Sequence, residues 1–265
     1  MNLQLEGKSA VVTGGTAGIG QAIATQLAQE GVQVFITGRT QASLDRAIAE
    51  ITPKLAGRGS VTGILADLGT REGADALVRE LPSVDILVNN LGIYEPKPFV
   101  DIPDEDWLRL FEVNVLSGVR TSRAYLPGML ARKTGRIIFI ASESAVAVPA
   151  EMMHYGMTKT AQLSLSRGLA EMTTGTGVTV NTVMPGPTMS AGIVDFIKSI
   201  SDDPTADFAQ LEAAFFKKHR SASLLQRLIQ PEEIASLVAY LASPLAAATN
   251  GAAVRAEGGL VHSIV

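Results

Sequence analysis

Six short apolar runs recur along the chain, at residues 9–13, 33–37, 61–66, 85–89, 136–141 and 179–184, and longer helix-like stretches separate them. The runs are continuous instead of alternating apolar and polar, which is the pattern of strands covered by helices on both faces. Strand runs that alternate with helical patterns predict βαβ units and a parallel sheet. The fold class expected is therefore α/β with a doubly wound parallel sheet. Helices are predicted over 20–30, closed by Gly31, and over two long stretches, 104–132 and 153–172. The segment 185–230 breaks the rhythm: it opens Pro-Gly-Pro, contains Ser-Asp-Asp-Pro at 201–204, and carries Phe208, Leu211 and Phe215 at helical spacing. Residues 189–226 are a candidate lid, and the second half of the segment reads equally as a peripheral helix packed on the core.

At 265 residues with 46% hydrophobic content the chain can bury a full core. No linker, repeat or low-complexity stretch divides it, so a single domain over 1–265 is expected. A net charge of -4 argues against general affinity for nucleic acid or anionic membrane, either of which needs a basic face. The absence of cysteine removes disulfides, thiol nucleophiles and thiolate metal sites. His154, His219 and His262 are scattered without ligand spacing, so no metal is expected. The amino-terminal residues enter a strand-like run without a signal-peptide core, and no stretch approaches the roughly 20 apolar residues of a membrane helix. The expectation is a cytoplasmic protein.

Two local patterns point to chemistry. Thr-Gly-Gly-Thr-Ala-Gly-Ile-Gly at 13–20 follows the first strand run and opens the first helix, where backbone N–H groups and the positive helix end suit a dinucleotide pyrophosphate. Of the four tyrosines, only Tyr155 has a basic residue four positions on, Lys159. On a helix the two share one face. A nearby positive charge lowers an acid's pKa by roughly 1–3 units, which brings a phenol towards general acid–base work at neutral pH. At the end of the second strand an acid would bind the ribose of NAD and an arginine would accommodate the 2′-phosphate of NADP. Thr37-Gly38-Arg39-Thr40 has no acid there, so Arg39 favours NADP(H).

The spacing Gly14-x-x-x-Gly18-x-Gly20, read with Tyr155-x-x-x-Lys159, resembles the signature of the short-chain dehydrogenase/reductase family, including its 3-oxoacyl-carrier-protein reductases, and the resemblance covers nearly the whole chain. Asn-Asn-Leu-Gly at 89–92, Asn114 in Val-Asn-Val, Ser142 thirteen residues before Tyr155, Pro-Gly-Pro-Thr at 185–188, Pro231-Glu-Glu-Ile-Ala and Glu257-Gly-Gly fit the same family pattern. Leu91 and Glu257 replace its commoner alanine and aspartate. The resemblance implies a Rossmann-type fold and a catalytic set of Asn114, Ser142, Tyr155 and Lys159. It also implies NADP(H) contacts from Gly14, Thr16, Gly18, Ile19, Gly20, Arg39, Asp67, Leu68, Asn89, Gly92, Tyr155, Lys159 and Thr188, with Asp67 on the adenine amino group and Thr188 on the carboxamide. Taken alone, Asp67 would be a helix N-cap. Ala17 stands where members that prefer NADP carry a basic residue. The implied activity is interconversion of a ketone and a secondary alcohol on a small-molecule substrate by a homotetramer that pairs its long helices. A carrier-protein reductase and a non-catalytic NADP(H)-sensing protein are the alternatives.

Overall fold

The structure, a computed structural model, describes residues 2–264. Seven strands form one all-parallel sheet: β1 (Ser9–Val12), β2 (Gln33–Gly38), β3 (Ser60–Leu65), β4 (Ile86–Asn89), β5 (Thr134–Ile140), β6 (Gly177–Pro185) and β7 (Ala253–Ala256). Their order is β3-β2-β1-β4-β5-β6-β7. All six expected strands form, with ends moved by up to two residues. The seventh escapes the sequence reading because it has four residues, includes Arg255 and is only partly covered at the sheet edge.

Successive residues of β1 show why the strands read as unbroken apolar runs. Ala10 and Val12 face a cluster formed with Ile23, Ala24 and Leu27 of α1 (Gly18–Gln29), Leu44 and Ala47 of α2 (Gln41–Ile51), and Ile234 and Val238 of the last long helix, Pro231–Ala242. Val11 points the other way, into a cluster with Leu77 of α3 (Arg71–Glu80) and with Tyr125 and Met129 beyond it. Both faces of the strand are thus dry. Chain order reverses between β1 and β4, which creates the crevice where open parallel sheets bind ligands.

The helix expected over 104–132 is two helices, α4 (Asp104–Phe111) and α5 (Ser117–Arg132), joined by a π-helical turn at Glu112–Leu116. A π-turn adds a residue without altering the apolar pattern enough to be seen in sequence. It buries Asn114 and Val115. The second long helix, α6 (Met153–Glu171), forms as expected. In the irregular segment, α7 (Ala191–Ile200) and α8 (Phe208–His219) are capped by the Ser190 and Asp207 side chains. They enclose a separate apolar cluster of Met152, Phe196, Ile197, Leu211, Phe215, Phe216 and Leu228, with Phe208 at its margin. The closing helix Pro231–Ala242 is α9. No helix among the described residues is long and apolar enough to cross a membrane.

Candidate active site

The glycine loop turns sharply out of β1, with Gly14 and Gly18 in the left-handed region at φ of 63° and 54°, a conformation that side chains disfavour. At Gly20 a Cβ would fall 2.4 Å from Asn90 Nδ2 and 2.5 Å from the Gly14 carbonyl oxygen. Asn90 explains the closeness: its amide donates to the carbonyls of Thr13 and Gly14 at 2.9 and 3.1 Å and pins the loop against the end of β4. The N-cap of α1, Ala17, has no capping side chain, so the first N–H groups of that helix remain available to an anion.

A groove of about 550 Å³ runs from this loop across the ends of β2 and β3, lined by Gly14, Thr16, Arg39, Asp67, Leu68 and Gly92 among others. Arg39 is exposed on its wall. Asp67 is not the N-cap of α3. Thr70 holds that position and accepts from Gly73 N, while Asp67 Oδ1 accepts from Gly69 N at 3.0 Å. Leu91 stands against the loop, its Cα 3.3 Å from where a Cβ of Gly14 would lie. Asn89 points elsewhere: its amide donates to Ser122 and accepts from Thr121, both on α5 behind the sheet. A groove with close backbone approach, an uncapped helix end and an exposed guanidinium fits a nicotinamide dinucleotide.

Ile19 and Thr188 lie on the wall of a second, smaller cavity of about 170 Å³, together with Tyr94, Ser142, Glu143, Tyr155, Phe196, Phe215 and Arg220. Thr188 Oγ1 donates to the Gly186 carbonyl at 2.8 Å. Ser142 follows β5 and is buried; its Oγ donates to Glu143 Oε2 at 2.5 Å and accepts from Ser144 N. Below Tyr155, the Lys159 ammonium lies 5.6 Å from the phenol ring centre and donates to the Ile140 carbonyl at 2.9 Å and to Gln162 Oε1 at 3.2 Å. Asn114 joins this group through the π-turn. Its side chain brackets Ile93, accepting from the N–H at 2.8 Å and donating to the carbonyl at 2.9 Å, and donates also to Thr158. All four expected catalytic residues therefore converge.

The electrostatics differ from the sequence expectation. Tyr155 is not pulled down by Lys159. Burial pushes the phenol above its ordinary value, the Glu143 carboxylate adds to the rise, and the Ser142 hydrogen bond opposes it. Lys159 itself moves: burial lowers it to about 7, against a smaller upward pull from Glu143. Glu143 is raised, chiefly by burial, with Ser142 and Arg220 countering. The site thus holds a phenol kept protonated by burial above a lysine lowered to about 7.

Gln162, Glu143 and Arg220 were missed by the sequence reading, and Asn90 entered it only within the Asn-Asn-Leu-Gly motif, without its loop-pinning role. Gln162 was findable, three positions after Lys159 and on the same helical face. Glu143 could have been noticed as a charge adjoining Ser142 in an otherwise small, apolar run. Arg220 offers no local signal, because only the path of α8 brings it to the cavity.

The fold and this cleft define a nicotinamide-linked oxidoreductase of the α/β class. Residues 8–198 match the family model described as short chain dehydrogenase, and the chain belongs to that family. It is 52% identical over its full length, and that of the relative, to an uncharacterized oxidoreductase, YvaG, of Bacillus subtilis. It is 34% identical to the 3-oxoacyl-[acyl-carrier-protein] reductase FabG of Vibrio cholerae over 97% of this chain and 99% of the other. Among solved structures it resembles L-sorbose reductase from Gluconobacter frateurii complexed with NADPH and L-sorbose, at 30% identity, full coverage of both chains and a TM-score of 0.91. It also resembles a 7α-hydroxysteroid dehydrogenase complexed with NADH, at 30% identity, 100% and 98% coverage and a TM-score of 0.84.

Proposed function

We propose that the protein is an NADP(H)-dependent reductase that interconverts a small ketone and its secondary alcohol, with Tyr155 as general acid and base. The observation that carries this reading is the convergence of Ser142 and Tyr155 on one cavity wall with Lys159 buried beneath them. Arg39 supports NADP(H) over NAD(H): among the described residues it forms no hydrogen bond or ion pair, and it lines the groove at the end of β2.

NADPH, when bound, supplies a hydride to the carbonyl carbon. The residues do the rest. The Tyr155 phenol holds the carbonyl oxygen as negative charge grows on it, and the Ser142 hydroxyl joins it by turning its single proton from Glu143 Oε2 to that oxygen. The raised phenol is fully protonated at neutral pH and delivers its proton to that oxygen. Lys159 stabilises the phenolate left behind and, with its affinity near neutrality, restores the proton. Gly14, Thr16, Gly18, Ile19, Gly20, Arg39, Asp67, Leu68, Gly92 and Thr188 hold the cofactor. The Asn89 side chain is committed to α5 and supports the strand end instead.

Residues 189–226 act as the lid, since α7 and α8 supply Ile193, Phe196 and Phe215 to the cavity. The aromatic and methionine lining favours a partly apolar ketone. A carrier-bound acyl group is the less favoured substrate. Arg132, which could receive an acidic carrier, already donates to Ser83 and to the Val84 carbonyl. NADPH oxidation measured across keto-esters, keto-sugars, quinones and acyl-thioesters tests the reading. Tight NADPH binding with no turnover of any carbonyl would favour a sensor.

A further inference from the structure

The small cavity mixes apolar residues with hydroxyls such as Thr188 and Ser190, and beside Ser142 two charged side chains, Glu143 and Arg220, face each other on its wall. The Glu143 and Arg220 side chains are only 7% and 11% exposed, and Glu143 Oε1 lies 3.9 Å from Arg220 Nε. That separation is too long for a direct hydrogen bond. The second carboxylate oxygen is used on Ser142 Oγ at 2.5 Å. The guanidinium makes one hydrogen bond among the described residues, from Nη1 to the His219 carbonyl at 2.8 Å, and rests 5.6 Å from the Phe215 ring centre. Its other ion-pair partner, Glu151, is also 3.9 Å away. The carboxylate also draws on the Ser144 and Glu143 backbone N–H groups, and both charged side chains line the cavity, where a ligand group can reach them.

A hydroxyl group is the chemistry that completes this pair. It accepts from a guanidinium N–H and donates to a carboxylate at once, and two hydrogen bonds of ordinary length can bridge atoms 3.9 Å apart. A carboxylate ligand would meet Glu143 with repulsion, and an ammonium would meet Arg220 the same way. Glu143 touches Ser142, the residue assigned to the carbonyl oxygen, so the hydroxyl belongs on a carbon next to the carbonyl. We propose that Glu143 and Arg220 form a hydroxyl-reading subsite and that the preferred substrates are ketones bearing a hydroxyl on the adjacent carbon. The inference rests on the reductase reading above.

The test compares kcat/KM for NADPH-dependent reduction of 1-hydroxy-2-butanone, 1-methoxy-2-butanone, 2-butanone and 2-oxobutanoate. The methoxy ketone controls for inductive activation of the carbonyl, with a methyl in place of the donor hydrogen; because that methyl also adds bulk, the collapse of the ratio in the variants, not the wild-type ratio alone, reports the hydrogen bond. The wild-type protein should prefer the hydroxy ketone over the methoxy ketone by at least about tenfold, the effect of a lost hydrogen bond to a charged group. Glu143→Ala and Arg220→Met should each collapse that ratio to within about threefold, whatever happens to absolute rates. NADPH titration of each variant shows whether its fold is retained. If Glu143→Ala does not fold, Arg220→Met at the end of α8 decides the matter. Equal wild-type use of the hydroxy and methoxy ketones, a preference for the keto acid, or a ratio unchanged in a folded Arg220→Met variant would overturn the subsite while leaving the reductase reading in place. Failure of the wild-type protein to reduce any carbonyl would overturn both.

Discussion

Gln162 Nε2 donates to the backbone carbonyl of Asn114 at 2.5 Å, and the same side chain accepts from Lys159 through Oε1 at 3.2 Å. One amide thereby links the π-turn between α4 and α5 to the lysine under Tyr155. The Gln162 amide makes this link in a buried setting. Replacing it with Leu removes both bonds. Gln162→Leu should cost about 1–3 kcal/mol of stability, measured by urea unfolding. A loss under about 0.5 kcal/mol would mean the linkage contributes little.

Arg39→Ala should raise the KM for NADPH by roughly 10- to 150-fold, the loss of one charged hydrogen bond, and leave NADH little changed. Steady-state kinetics with both cofactors decides it. Equal weakening of the two would show that Arg39 does not read the 2′-phosphate.

Tyr155→Phe should abolish turnover and keep NADPH affinity, because the hydroxyl carries the proton while ring and loop still shape the cleft. Lys159→Ala should damage turnover and cofactor binding together. Calorimetric titration beside kinetics separates the two behaviours, and a Phe variant with most of its wild-type kcat would remove Tyr155 from the mechanism.

Burial lowers Lys159 to about 7 in the folded chain, against about 10.4 when unfolded. Between these values the unfolded state binds a proton that the folded state does not, so this group makes stability rise with pH. Its full penalty persists below about pH 7 and is relieved towards about pH 10. Lys159→Met removes the group. The stability of wild type minus that of the variant should climb across this window in denaturant titrations, and a flat difference would contradict the burial.

Leu108 and Met157 lie exposed on α4 and α6, with Val146 and Val148 in the loop preceding α6. We expect these exposed apolar side chains to be covered in a homotetramer. Light scattering at micromolar concentration that gives about 27.8 kDa would establish a monomer instead.

The parallel sheet, the glycine loop and the Tyr155–Lys159 pairing were legible in the sequence because each depends on short-range spacing: strand runs such as that at Val11, a close approach at the start of α1 that excludes a side chain at Gly20, and the four-residue return of a helix. The direction in which a side chain is spent was not. Asn89 and Asn90 are neighbours, yet one is committed to α5 and the other to the glycine loop, because successive strand-end residues face opposite sides of the sheet. Proton affinities were equally illegible. Spacing brought Lys159 near Tyr155, but the depth of their burial reversed the expected direction of the phenol's shift. Arg220 reaches Glu143 across 77 residues of chain. Tertiary packing alone makes such a contact, since no local periodicity records where the end of α8 comes to rest.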